Sequence, residues 1–267
     1  MQDPGALPLP HDALRVLLRA AGERRHPWLE FLGRRWSPAA VVAEAVRAAA
    51  GLRALGLSPG QGLGILLPNL PVAATALLAA WEAGLVALPA DPRQPPAALG
   101  AWQARLRPAA ILTLDLATVF ERARPLADDP GLGHLIVARM DSQLSPLKRL
   151  LSPWLRAGGS VRPAFDARRI AWEALAGPAP AATLPAEAPA LCLPDGSMLR
   201  RGEVAALAAS PAPALRRLLA LPLAAPPAIE ALLTSLAGGG TLVLSPRLDP
   251  RSLAKVARAA KTSERVG

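Results

Sequence analysis

Two hydrophobic patterns alternate along this chain. Stretches with apolar residues at helical spacing predict helices, and short continuous apolar runs bounded by Gly or Pro predict buried strands. The predicted helices are His11–Ala21, Pro38–Leu55, Val72–Ala83, Pro96–Leu106, Leu116–Arg124, Glu203–Ala209, Ala228–Leu236 and Pro250–Ala260. The predicted strands are Leu63–Leu67, Leu85–Leu88, Ala109–Leu114, His134–Ala138, Ala190–Leu193, Leu218–Leu221 and Thr241–Leu244. Strands separated by helices predict right-handed crossovers, and therefore an α/β fold of mostly parallel sheets flanked by helices.

The segment from Arg139 to Pro189 interrupts this alternation. It is rich in Pro, Arg and Gly, and it predicts an irregular basic connection with short helices. A group of basic and aromatic residues within it has two interpretations, a patch that contacts anionic lipid or a solvated connection; its members are Lys148, Arg149, Trp154 and Arg156. Pro146 and Pro153 shorten any helix here, which favours the solvated connection.

Composition excludes several classes of protein. With 267 residues and 52% hydrophobic residues, the chain can bury a large core, so wholesale disorder is excluded. One cysteine excludes a disulfide framework and a Cys-based zinc site. The apolar stretch Leu70–Pro89 predicts a buried helix and strand, not a membrane span, because Glu82 and Gly84 interrupt it. With no secretory pattern in Met1–Pro10, we expect a cytoplasmic protein, with peripheral membrane contact if the basic patch binds lipid.

The charge balance leaves the partner open. Lys and Arg total 30 against 20 Asp and Glu, a net charge of +10, which fits an anionic partner or simply a genome rich in G and C. Aromatic residues make up 3% and Tyr is absent, so little surface is available for stacking on bases. We therefore expect no nucleic-acid partner, and a basic nucleic-acid-binding protein is a minor alternative.

Two small features each have a structural and a functional interpretation. Gly238-Gly239-Gly240 is either a helix-to-strand turn or a nest for a phosphate, and the turn is favoured. Cys192 lies on a predicted buried strand, where an inert core thiol is favoured over a nucleophile.

An ordered series of turn and packing residues in Gly51–Gly100 carries a family resemblance. The series is Leu55-Gly56, Pro59-Gly60, Pro68-Asn69, Gly84, Pro89 and Pro92. It resembles the opening of the AMP-forming acyl-CoA synthetases, and LSPLKRLL at 144–151 is similar to the bacterial long-chain fatty-acid–CoA ligases. The resemblance implies an N-terminal helix and lead-in at 1–34 and a partial AMP-binding domain at 35–267, with the irregular connection at 139–189. That domain corresponds to the N-terminal half of the family's large domain.

The same resemblance implies that the catalytic apparatus is incomplete. The family's Ser/Thr/Gly-rich phosphate loop follows a strand that Ala190–Leu193 matches, but only Pro194 and Asp195 separate that strand from Gly196, Ser197 and Met198. Asp195 takes the place of the family's lysine, and Ala225 takes the place of its histidine. In the family, the acidic residue that binds ribose, the glutamate that binds magnesium and the lysine of the mobile C-terminal domain come later than Gly267. We therefore expect no catalytic or metal-binding residue, and no ATP, Mg²⁺ or CoA on this chain alone.

Three functions stay open at this stage. The first is a non-catalytic binding or regulatory subunit that works with a protein partner or as a homo-oligomer. The second is a fatty-acid–CoA ligase completed by a partner chain, and the third is the basic nucleic-acid-binding protein. A protein partner is expected because the sheet of a full synthetase continues into later sequence, which would leave a strand edge or an apolar face to be covered.

Overall fold

The computed structural model describes residues 13–145, 159–178, 184–210, 213–246, 248–262 and 264–266. The helices in these ranges are α1 (Ala13–Gly22), α2 (Pro38–Ala54), α3 (Pro71–Glu82), α4 (Pro96–Leu106), α5 (Ala117–Ala127), α6 (Arg201–Ala209), α7 (Pro226–Gly238) and α8 (Pro250–Ala260). The strands are β1 (Leu29–Phe31), β2 (Arg34–Trp36), β3 (Gly62–Leu66), β4 (Val86–Ala90), β5 (Ala110–Leu114), β6 (His134–Ala138), β7 (Arg169–Ala171), β8 (Pro189–Cys192), β9 (Met198–Arg200), β10 (Arg216–Leu219), β11 (Thr241–Leu244) and β12 (Glu264–Val266).

Seven strands form the larger sheet, in the order β7-β6-β5-β3-β4-β8-β9. Every neighbouring pair is parallel except β8 and β9, which form an antiparallel hairpin. Parallel strands need crossover connections, and the helices between them supply these. The predicted α/β class with mostly parallel sheets is therefore confirmed.

Five strands form the smaller sheet, in the order β12-β10-β11-β1-β2. Residues on α7 pack with the Leu219, Leu242 and Leu244 face of this sheet. Residues on α8 pack with the opposite face, where Leu218 and Val243 lie. Within the described residues, both faces of the smaller sheet are thus covered by helices of the same chain.

Helix α3 lies in the centre of the core. All twelve of its residues, Pro71–Glu82, are buried, and β4 follows it directly, so the long apolar stretch is a core helix and a core strand as predicted. Among the described helices, none combines the length and the apolar character needed to cross a bilayer.

The hairpin β1–β2 was not predicted from the sequence pattern. Each strand has only three residues, which is too few to show a period, and β1 forms because it pairs with distant β11, Leu29 opposite Leu242. Strand β7 and strand β12 are equally short and also escaped prediction.

Strand β10 begins two residues earlier than predicted, at Arg216, and ends at Leu219. Arginine is uncommon in a buried strand unless its charge is paired. Here Arg216 donates to the buried carboxylate of Glu30 at 2.6 Å, and Arg35 donates to the same oxygen at 2.8 Å. This tertiary ion-pair cluster, which no local pattern shows, lets the strand start on Arg216. The second arginine of the strand, Arg217, takes no part in the cluster.

Candidate functional site

A cleft of about 590 Å³ lies at the carboxyl ends of β4 and β8, facing the segment 222–226 that follows β10. Its walls are Ala90, Asp91, Gln94, Ala98, Leu99, Ala101, Trp102, Arg105, Leu193, Pro194, Asp195, Pro222, Ala224, Ala225 and Pro226. Ligands of open α/β sheets bind outside the carboxyl ends of the strands, and this volume is typical of a small-molecule site. Most of the wall is apolar, with charged side chains near the β8–β9 hairpin.

The β8–β9 hairpin closes through the three residues Pro194, Asp195 and Gly196. The N–H of Gly196 donates to the Leu193 carbonyl at 2.9 Å, and the N–H of Leu193 donates to the Ser197 carbonyl at 2.9 Å. Gly196 has a φ of +95°, a left-handed conformation that glycine adopts without a steric cost. Pro-Asp-Gly is a turn signal in its own right. The sequence by itself therefore predicts a tight turn at the place where the family has its phosphate loop.

Asp195 stabilises this turn through one of its two carboxylate oxygens. Its Oδ1 accepts from the Ser197 hydroxyl at 2.6 Å and from the Ser197 N–H at 2.8 Å. These two hydrogen bonds hold the pKa of the exposed Asp195 carboxyl below its usual range. The carboxylate is thus negatively charged at neutral pH and lies at the edge of the cleft.

Arg105, near the end of α4, is the cation of the cleft. Its guanidinium donates to the Pro194 carbonyl, and its charge also contributes to the low pKa of Asp195. Trp102 lies one turn earlier on the same helix and lines the same wall. Sequence analysis did not single out either residue. Their spacing of three residues on a helix predicts a shared face, but only the tertiary structure shows that the face meets the hairpin.

The second acid of the cleft, Asp91, is already paired. Arg93 donates from its Nε and Nη2 atoms to the two Asp91 carboxylate oxygens, the shortest contact being 2.6 Å. The hydrogen bond to Asp91 raises the pKa of Arg93 above its ordinary value. Asp91 is therefore neutralised locally, which leaves Asp195 and Arg105 as the opposite charges that a ligand would meet near the hairpin.

The segment after β10 is held in place by Asn69, which follows β3. The Asn69 Nδ2 donates to the Leu221 carbonyl at 2.7 Å, and its Oδ1 accepts from the Leu223 N–H at 3.0 Å. Asn69 is 3% exposed, so this amide bridges the two sheets inside the core. It positions Pro222 and Ala225 at the wall of the cleft, and Ala225, at the position of the family's histidine, lies at the N-terminus of α7.

The remaining predicted residues lie in different places. Asp195 lines the cleft, Gly196 and Ser197 form the turn beside it, and Met198, on β9, is 48% exposed. Lys148, Arg149, Trp154 and Arg156, the predicted lipid patch, lie outside the described residues, so that patch stays a prediction.

Two alternatives from the sequence are resolved. The glycine run is a helix-to-strand turn, in which Gly239 caps α7 with a φ of +76°. Cys192 is buried on β8, and burial raises the pKa of its thiol, which is the behaviour of an inert core residue. In the part of the chain that the structure describes, no group of three or more His, Cys, Asp or Glu side chains is arranged to hold a metal ion.

Comparison with known proteins agrees with this architecture. The sequence profile of the AMP-binding enzyme family matches residues 18–171, more than half of the chain. No curated protein sequence matches the chain.

Solved structures match over nearly the whole chain. A benzoate CoA ligase from Burkholderia xenovorans LB400 superimposes with a TM-score of 0.71 at 19% identity, covering 93% of this chain and 47% of its own. Coronafacic acid ligase from Pectobacterium brasiliense gives a TM-score of 0.75 at 13% identity, covering 96% and 49%. A protein of Rhodopseudomonas palustris CGA009, assigned as a long-chain-fatty-acid CoA ligase, gives 0.72 at 17%, covering 96% and 62%. The chain therefore spans about half the length of these structures and shares their fold.

Proposed function

Because this chain belongs to the AMP-binding enzyme family, we propose that it is a non-catalytic binding subunit whose cleft takes an apolar, acyl-type ligand and which does not form an acyl-adenylate by itself. Adenylation requires a site for the triphosphate of ATP, and such sites are built from backbone N–H groups that point at the phosphates, with a cation beside them.

The observation that carries this proposal is the use of backbone N–H groups in the β8–β9 hairpin. The N–H groups of Leu193 and Gly196 bond to carbonyls of the turn, and the N–H of Ser197 bonds to the Asp195 carboxylate. Pro194 has no N–H. The N–H groups of Leu193, Gly196 and Ser197, which could otherwise point at a phosphate, are thus used to close a three-residue turn.

The negative charge of Asp195 also disfavours a triphosphate beside the hairpin. Asp195 is ionised beside the cleft, and its carboxylate repels a phosphate there, although solvent screens this repulsion because the carboxyl is exposed. Arg105 offers one compensating charge, but its guanidinium is bonded to the Pro194 carbonyl. These contacts support a cleft that excludes a triphosphate.

The rest of the wall suits an apolar ligand. Leu99, Trp102 and Leu193 are buried residues that present hydrocarbon surface to the cleft, and Pro222 faces them from the other sheet. An acyl chain can bury its apolar surface there, with a stabilisation of about 25 cal/mol per Å². In this proposal a protein partner or a second copy of the chain uses the bound ligand.

The catalytic half of the proposal is tested by ATP–pyrophosphate exchange with the purified chain and a panel of fatty and aryl acids. We expect no exchange above a heat-treated control, and no saturable binding of ATP·Mg²⁺ at micromolar concentrations in calorimetry. Exchange by the pure chain would overturn the non-catalytic assignment. Exchange that arises only after a partner chain is added would support the alternative, a ligase completed by its partner.

The binding half is tested with a variant that fills the cleft. Ala98→Trp places an indole on the wall, and Ala104→Trp is the matched control, because Ala104 is exposed on α4 away from the cleft. We expect Ala98→Trp to abolish calorimetric binding of medium- and long-chain acyl ligands, while Ala104→Trp binds as the wild type does. Equal binding by both variants would refute the cleft as the ligand site.

A further inference from the structure

Helix α8 carries a continuous stripe of positive charge. Arg251, Lys255 and Arg258 follow one another at i, i+4 and i+7, which places them on one face of the helix, and Lys261 follows at its C-terminal cap. All four side chains are exposed. At 1.5 Å per residue, the stripe is roughly 15 Å long. We call these four residues the α8 stripe.

The charges of the α8 stripe are not neutralised within the described residues. Helix α8 contains no acidic residue, and none of the ion pairs of the described chain involves a stripe residue. Asp249, before the helix, accepts from the Ser252 N–H and caps the first turn. On β12, the exposed Glu264 and Arg265 offset each other. The stripe therefore presents its full charge to solvent.

The opposite face of α8 fixes the stripe in position. Leu253 is 2% exposed and Ala260 is 8% exposed, and both belong to the apolar cluster that includes Leu218 and Val243 of the smaller sheet. Because this apolar face is already buried in the protein, the helix cannot turn it towards a bilayer or a partner. The stripe is thus a rigid, purely cationic surface.

We propose that the α8 stripe docks this protein on an anionic phospholipid surface by electrostatic attraction, without insertion. The residues exposed between the cations are Ala254 and Ala259, which offer neither an aromatic anchor nor an amide. Protein interfaces depend on aromatic and other large anchors, and nucleic-acid readout or stacking needs polar or aromatic groups beside the cations. A lipid headgroup layer needs only closely spaced positive charge. The chain's net charge of +10 adds to the attraction.

Co-sedimentation with vesicles tests the stripe. Vesicles of phosphatidylcholine with 30% phosphatidylserine are compared with pure phosphatidylcholine, at low salt and at about 0.5 M salt, where the Debye length is only a few ångströms. The variant R251Q/K255Q/R258Q is compared with R19Q/R25Q/R122Q, which removes the same number of charges elsewhere. Gln is a good helix former, and thermal unfolding monitored by circular dichroism verifies that both variants fold.

We expect binding to the anionic vesicles alone, lost at high salt. Each basic residue strengthens such binding roughly fivefold, so the stripe variant should bind on the order of a hundredfold more weakly, while the control variant loses far less. Equal losses in the two variants, equal binding to both lipids, or no binding to anionic vesicles would each overturn the proposal. The proposal would also be overturned if the protein bound a 20-base-pair DNA duplex through the α8 stripe and did not bind the vesicles.

Discussion

Asn69 and Leu223, 154 positions apart in the chain, are joined by a buried hydrogen bond of 3.0 Å, in which the Leu223 N–H donates to Oδ1 of the Asn69 side-chain amide. The same amide donates to the Leu221 carbonyl, so one side chain satisfies two backbone groups of a segment that has no strand partner there. The wall of the cleft formed by the smaller sheet thus depends on a residue that follows a strand of the larger sheet.

We expect Asn69→Ala to lower the free energy of unfolding by about 2–3 kcal/mol, because the partly buried Leu221 carbonyl and the buried Leu223 N–H would both lose this partner. Urea denaturation measures the change. Gln61→Ala is the control, since Gln61 makes an exposed side-chain bond to the Ser58 N–H and should cost under about 1 kcal/mol. If Asn69→Ala and Gln61→Ala lowered the free energy of unfolding by similar amounts, burial would not determine how much these hydrogen bonds stabilise the protein.

The hairpin turn at the cleft requires glycine. Gly196→Ala should lower the free energy of unfolding by about 1–2 kcal/mol, because a Cβ is disfavoured at a φ of +95°. Gly100 is the control, because it lies inside α4 and a Cβ added there would meet no heavy atom within 4 Å. Gly100→Ala should therefore stabilise the protein by about 0.5–1 kcal/mol. If Gly196→Ala and Gly100→Ala shifted the melting temperature in the same direction, the turn would not require a glycine in the left-handed conformation.

Asp115, just after β5, makes stability depend on pH. Burial is the main cause that raises the pKa of its carboxyl to about 6, and the nearby Asp141 and Glu173 raise it further, while the Met140 N–H and Arg139 act in the opposite direction. In the unfolded chain the pKa is about 3.9. The folded state therefore binds the proton more tightly, and stability is lost as pH rises from about 4 to 6.

Asp115→Asn removes this ionisation and keeps an acceptor for the Met140 N–H. We expect the variant to match the wild type below about pH 4 and to be more stable above pH 6, by about 1–2 kcal/mol once the partial exposure of the side chain is considered. Melting temperatures between about pH 3.5 and 8 measure the difference. A constant difference over this range would show that Asp115 does not titrate there.

Two buried tryptophans should respond differently to the same substitution. The Trp81 Nε1 donates to the Ala190 carbonyl at 2.9 Å, whereas the Trp102 Nε1 is buried without a hydrogen-bond partner among the described residues. Trp81→Phe should therefore cost roughly 1–2 kcal/mol more than Trp102→Phe, because only the former removes a buried hydrogen bond. Equal costs in urea unfolding would mean that lost volume, not the hydrogen bond, sets both values.

The sequence by itself determined the elements that have enough residues to show a period. Helix α4 and strand β6 were predicted to the residue, and α2 and α3 to within one or two residues. The alternation of these elements determined the parallel α/β class, because a parallel strand pair needs a crossover. The Pro-Asp-Gly signal at 194–196 is equally local, since turn chemistry depends on adjacent residues.

Only the tertiary structure decided the features that depend on distant partners. Strand β1 exists because β11 lies beside it, and Arg216 enters β10 because Glu30 pairs with it across 186 positions. Asn69 is a turn residue in the sequence, and the fold makes it the bridge to Leu223. Arg105 reaches the hairpin only because α4 and β8 meet at one edge of the sheets. Each of these contacts joins residues far apart in the chain, and no periodicity within a single segment specifies which distant residues will meet.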